Sequence, residues 1–263
     1  MANETLVETI DYQGFTIEVH QDWSAEMPNG YCDMFSTFVH WHDRYNWDLD
    51  GRKEYGEPFN FYEHLAGFKI DDLAWRNDFG RDEFKYQNLW RSEDHVREII
   101  FNLAHKNAVV IPVAMIDHSG ISFYEGTGSH PIDPGGWDSG QVGFLFATKE
   151  RLIEVGGFKY SKTITRKLRE YGERMLRAEL EMWDQWATGQ IYGYKILKDG
   201  DLVDSCWSFY GDYNEYMIPE CQAVIDATIA AHLTKHFKRL KTWIRHRVPL
   251  HARKTAIVRR QAR

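Results

Sequence analysis

His40 and His42, Asp117, His118 and Ser119, and Asp138 with Ser139 are the side chains whose types and spacing could do chemistry in this chain. His-x-His on a strand puts both imidazoles on one face, because side chains alternate with a period of two, and such a pair can chelate a divalent metal. Asp117-His118, which follows a second apolar run, could complete the shell, so His40, His42, Asp117 and His118 are the candidate metal ligands. An ion held there, with Asp138 beside it, would turn a bound water into a nucleophile and make the chain a metal-dependent hydrolase. No third ligand has diagnostic spacing such as His-Glu-x-x-His. The competing reading is that Trp41 enters the core while its flanking histidines face solvent or make ordinary hydrogen bonds.

Ser119 and Ser139 each precede a glycine, which raises nucleophilic catalysis with His118 or His42 as base and an aspartate to orient it. The candidate catalytic set is therefore His42, Asp117, His118, Ser119, Asp138 and Ser139. Neither serine sits in a Gly-x-Ser-x-Gly elbow, and a histidine adjacent in sequence rarely has the geometry to activate its neighbour. Asp-x-Ser-Gly is also good turn chemistry: Asp and Ser bond nearby backbone amides, and Gly permits positive φ.

Charge divides sharply along the chain. All 39 acids and 21 of the bases precede residue 227, giving −18, whereas residues 227 to 263 hold eleven Lys and Arg and no acid. Lys235, Lys238, Arg239, Lys241, Arg245 and Arg247, with Trp243 among them, could neutralise phosphates and stack a base or anchor to a partner; the alternatives are a solvated face, a helix docked on the acidic body or an anionic membrane surface. The acidic first half, interleaved with aromatics, could instead imitate a nucleic-acid backbone. We expect an acidic body over residues 1–215 and a basic C-terminal helix and tail over residues 216–263.

The elements that must position these groups follow from periodicity. Leu6 to Ile10 and Phe15 to His20 alternate around Asp11-Tyr12-Gln13-Gly14, which predicts an opening β-hairpin. Met34 to Trp41 is expected as a strand delivering His40, His42 and Arg44, followed by a loop over 43–58. Helices are expected over Phe59 to Trp75, over Ser92 to Lys106, and from Ser161 or Thr163 until Thr188-Gly189. Strands are expected over 108–116 and 142–148, a second hairpin around Lys198-Asp199-Gly200-Asp201, and a basic helix through Ile225 to Ile244 that Pro249 stops. The fold class is α+β, an antiparallel sheet built from hairpins and covered by helices. No apolar run is long enough to span a bilayer and no secretory leader pattern is present. Only Cys32, Cys206 and Cys221 occur, without Cys-x-x-Cys spacing, which gives neither a disulfide framework nor a cysteine zinc site and points to the cytoplasm.

The set His42-x-Arg44-Tyr45-Asn46, Asp117-His118-Ser119-Gly120-Ile121, Trp137-Asp138-Ser139-Gly140-Gln141-Val142-Gly143-Phe144 and Trp183-Asp184-Gln185-Trp186-x-x-Gly189-Gln190-x-Tyr192-Gly193 resembles a family of proteins encoded by bacteriophages, plasmids and integrative elements. It covers residues 5 to 212 and departs at Trp47-Asp48-Leu49-Asp50, where a Leu-Gly-Asp is expected. The resemblance implies an accessory role in phage or plasmid biology, such as interference with host defence. From it, together with the charge pattern, we expect macromolecular binding to a host or element-encoded protein; nucleic-acid binding through the tail is an independent expectation, since the basic segment after Asp226 lies outside the resemblance.

Overall fold

The structure, a computed structural model, describes residues 4–76, 82–87 and 89–249. The last part of the basic tail, 250–263, lies outside the described residues. In chain order the elements are β1 (Glu4–Tyr12), β2 (Phe15–Asp22), α1 (Pro28–Tyr31), β3 (Thr37–His40), β4 (Leu49–Asp50), α2 (Gly51–Glu54), α3 (Pro58–Ala66), β5 (Ala74–Arg76), β6 (Asp82–Tyr86), β7 (Leu89–Arg91), α4 (Glu93–Asn107), β8 (Ala108–Asp117), β9 (Ile121–Glu125), β10 (Ser139–Thr148), α5 (Lys149–Gly156), α6 (Arg166–Ala187), β11 (Ile191–Lys198), β12 (Asp201–Tyr210) and α7 (Met217–Arg247). The α+β class expected from the hairpins and helices is the class observed.

The chain forms two compact units, residues 24–191 and residues 1–23 with 192–263. Residues 192–263 lie in one unit, so neither the charge break after Asp226 nor the division expected after residue 215 coincides with a boundary between these units. The physical reason is strand pairing: β2 pairs antiparallel with β11, so the first and last hairpins share one four-stranded sheet in the order β1-β2-β11-β12. Both hairpins turn where the sequence supplies residues that tolerate positive φ, Gln13-Gly14 (52° and 77°) and Asp199-Gly200 (52° and 88°). Two successive positive-φ residues give a turn whose twist matches that of the flanking strands. Inward-facing Phe15, Ile17, Val19, Tyr194 and Ile196 meet Met217, Ile218, Cys221 and Ile225 from the first half of α7.

The larger unit is built on a five-stranded sheet in the order β4-β3-β10-β8-β9, antiparallel except for the short β3–β4 contact. Alternate residues of its central strands enter two cores. On one side Phe38, Val109, Ile111, Val113 and Leu145 pack with Leu152 of α5 and Leu168, Leu176, Leu180 and Trp183 of α6. On the other, Val39, Phe144 and Phe146 pack with Phe61 and Leu65 of α3 and Ala104 of α4. Burial on both faces is why 108–116 and 142–148 read as continuous apolar runs. A smaller sheet, β5-β6-β7, contributes Phe84 to a cluster with Val96 and Ile100 of α4.

Three local expectations differ from the structure. The helix expected to reach Trp75 ends at Ala66, because Gly67 adopts a left-handed C-cap (φ 85°) and its amide turns back to Glu63 and His64. The segment 43–58 is not all loop: Asp50 accepts from the Arg52 amide and caps α2. Directly after the strand expected over 142–148, Lys149-Glu150-Arg151 opens a helix that was not expected, α5, capped by the Thr148 hydroxyl. The long helix starts as expected near Thr163, at a cap formed by Thr165.

Candidate functional site

At one end of the five-stranded sheet, the end of β8, the start of β10 and the segment after β3 surround an open cleft of about 360 Å³. Its lining includes His42, Arg44, Asp117, Trp137, Asp138 and Ser139. The motif residues that are remote in sequence thus share one surface. Two backbone features bring them there. Val142 is an extra residue in β10, since Gln141 pairs with Ala114 and Gly143 with Val113, and such a bulge re-aims the strand end. A Cβ at Gly143 would collide with the Val39 carbonyl, so only glycine lets β10 approach β3 this closely.

The Asp117-His118-Ser119-Gly120 motif is the tight connection between β8 and β9. Ser119 occupies its left-handed corner (φ 62°), and the His118 amide donates to the Gly120 carbonyl at 3.0 Å. Ser119 is exposed and outside the cleft lining. The Asp117 amide donates to the Asp138 carbonyl at 2.8 Å, fastening the long loop 126–138 to the end of β8. Asp117 itself accepts from the Arg44 guanidinium and the Tyr45 hydroxyl, both at 3.4 Å. His118 Nδ1 faces Asp138 Oδ2 at 3.3 Å on the exposed rim.

Ser139 is committed to the loop. Its hydroxyl donates to Asp133 Oδ2 at 2.8 Å and accepts from the His130 amide at 2.9 Å. Asp133 also accepts from the Asp138 amide at 2.8 Å. That amide bond, aided by the Ser139 hydroxyl, holds the Asp133 carboxyl below the usual carboxylate range. A carboxylate of lowered pKa is a poor base, and the Ser139 hydroxyl is already occupied on both sides by Asp133 and the His130 amide. Asp133-Pro134-Gly135-Gly136 carries a turn signature that could have identified Asp133 as the organiser of the loop.

The two histidines of the His-x-His pair do face the same way, and both rings contact the Trp47 indole, with centroids 5.1 Å away for His40 and 5.5 Å for His42. Their roles diverge. His40 is 1 % exposed and its Nε2 accepts from the Trp47 amide at 3.3 Å. His42 stacks on Tyr45 at 5.1 Å, and its Nδ1 accepts from the Arg44 amide at 3.2 Å. Burial lowers both pKa values first, with the Arg44 guanidinium adding to the effect on His42. Each ring thus uses a nitrogen in the local fold.

The expected metal ligands are not gathered into one shell among the described residues. His40, His42, Asp117 and His118 each bond a group other than one another, and among the described residues no three His, Cys, Asp or Glu side chains gather where one ion could sit. The cause is the return of the chain after β3, which drives Trp47 into the core beside Phe38 and Phe123 and draws His40 inward with it.

The Trp183-Asp184-Gln185-Trp186 motif is likewise structural. Asp184 accepts from the Ser122 hydroxyl and the Phe123 amide, both at 2.8 Å, pinning β9 to α6. One turn earlier on the same helix, Glu179 accepts from the Phe35 and Ser36 amides and the Ser36 hydroxyl. Its burial raises its pKa, and these hydrogen bonds pull it back. The spacing of α6 gave no sign of the partners of Glu179, which lie 143 and 144 residues away.

Trp137 is the residue of the cleft that the fold leaves out. It is 90 % exposed, on a loop fixed by Asp133, Ser139 and the Asp117 amide. Its indole lies against Gly135, where a Cβ would come within 2.6 Å of the ring. The seven C-terminal candidates, Lys235, Lys238, Arg239, Lys241, Trp243, Arg245 and Arg247, all fall on α7 and all are exposed. Comparison with protein-family models, with curated proteins and with solved structures found no match.

Proposed function

We propose that this chain is a non-catalytic accessory protein of a phage or other mobile genetic element. It acts by binding a host or element-encoded protein through the Trp137 face, and the role that fits its motifs is interference with host defence. One observation carries the binding reading: a hydrogen-bonded loop holds a large aromatic side chain 90 % exposed in the cleft that Arg44 also lines. Trp and Arg are the residues that most often dominate the energetics of protein interfaces, and a loop already fixed by hydrogen bonds has little ordering entropy left to lose on binding. The surrounding polar groups fit a rim better than a reaction centre, because Asp133, Ser139 and His42 are engaged in holding the loop and the segment after β3. The genomic setting rests on the sequence resemblance described above.

Affinity capture with the full-length protein from a bacterial lysate tests this reading. A stoichiometric protein partner is expected, retained when His42 and Asp117 are each replaced by Ala. Recovery of no partner overturns the reading, and loss of biological activity in either alanine variant without loss of the partner restores the hydrolase alternative.

A further inference from the structure

Among the described residues, the first half of α7 packs on the four-stranded sheet, whereas most of its second half is exposed. Met217, Ile218, Cys221 and Ile225 are buried on the four-stranded sheet, whereas every residue from Ala230 to Trp243 is exposed. The apolar stripe nevertheless continues without a break through Ile229, Leu233, Phe237, Leu240 and Ile244. At about 100° per residue, Leu233, Phe237, Leu240, Trp243 and Ile244 fall within an arc of about 120°, interrupted between residues 232 and 246 only by His236. Lys235, Lys238, Arg239, Lys241 and Arg245 occupy the rest of the circumference, and no acid occurs after Asp226. Trp243 remains 54 % exposed and Leu233 52 %.

We infer that the C-terminal half of α7 lies flat on an anionic lipid surface. Both faces find a partner there: the Leu, Phe and Trp side chains enter the boundary between headgroups and acyl chains, and the cations meet lipid phosphates while their alkyl stems follow the apolar surface. A nucleic-acid backbone would engage the cationic face but leave the row Leu233, Phe237 and Leu240 in water. A second copy could cover the apolar face, but it would set cation beside cation along the whole contact. Spanning is not available to this helix, since none of the described helices is long and apolar enough to cross a membrane. Contact is therefore peripheral.

The test is co-sedimentation of the full-length protein with phosphatidylglycerol/phosphatidylcholine vesicles and with pure phosphatidylcholine vesicles at physiological salt. Wild-type protein is expected to pellet with the anionic vesicles only. Joint replacement of Lys238→Gln, Arg239→Gln and Lys241→Gln should lower partitioning about 100-fold, roughly fivefold for each charge removed. Phe237→Ser with Leu240→Ser should lower it at least about tenfold. All five positions are exposed, so the fold is retained, which circular dichroism checks. Pelleting equal with neutral vesicles, or absent with both, overturns the inference. So does unchanged vesicle and duplex-DNA binding in the Phe237/Leu240 variant, which would leave a contact made by cations alone, or a light-scattering dimer abolished by that variant, which would assign the apolar face to a second copy.

Discussion

Ser139 and His40 show how reactive-looking side chains are absorbed by local structure. Ser139 bridges Asp133 and the His130 amide, so Ser139→Ala leaves a loop amide and a carboxylate short of a partner. A stability loss of about 1–2 kcal/mol is expected in denaturant unfolding, from hydrogen bonds of that kind. If Ser139→Ala instead abolished biological activity with stability unchanged, the serine would have a chemical role. His40 contributes to acid sensitivity, as do His42 and His105, whose pKa values burial also lowers. The folded-state pKa of His40 is lowered by burial, so it resists protonation when folded and accepts it when unfolded. The stability linked to His40 is present above the unfolded value of about 6.5 and is lost as pH falls below it. Unfolding free energy measured from pH 7 to pH 5 should fall less steeply for His40→Gln than for wild type, and equal slopes would show that His40 is not a source of the acid sensitivity. That both histidines face one way could be read from their spacing. That one of them is buried could not, because the Trp47 indole covering it arrives from a segment that reads as loop.

Elements whose ends carry their own signals were the legible part of the fold. Ser92 caps α4, Asp199-Gly200 turns β11 into β12, and α6 stops where Thr188-Gly189 ends its pattern. Elements that depend on one left-handed glycine or on a polar first turn were not legible, as the early stop of α3 at Gly67 and the start of α5 after Thr148 show. The clearest tertiary device of an element is the pair of carboxylates on α6. Glu179 holds the 35–36 segment and Asp184 holds β9, each by hydrogen bonds to backbone amides. Glu179→Ala strands two buried amides and a hydroxyl at once, and a loss of about 3 kcal/mol or more is expected. Asp184→Ala, at a less buried site, should cost less. Chemical denaturation of both variants decides the order, and a smaller loss for Glu179→Ala would mean that water replaces its partners. Sequence periodicity places Glu179 near the core side of the helix but says nothing of the amides it meets.

Over the whole molecule, charge and architecture do not divide at the same place. The smaller unit joins the acidic N-terminal hairpin to the basic helix and carries 12 acids and 13 Lys and Arg, while the larger unit carries 27 acids and 19 bases. A linear charge profile therefore overstates the separation between an acidic body and a basic tail, because β2 and β11 bring the two ends of the chain into one sheet. What the motifs build on the larger unit is a fixed surface with Trp137 at its edge, and binding through that surface is the central claim. The most direct measurement is the dissociation constant of the captured protein partner for wild type and for Trp137→Ala, with thermal unfolding followed in parallel. A side chain this exposed contributes little to stability, so the unfolding midpoint should not move while binding weakens at least about thirtyfold, the loss of an interface anchor worth about 2 kcal/mol. Affinities within about twofold of each other, well under 1 kcal/mol, would contradict the claim and remove Trp137 from the interface.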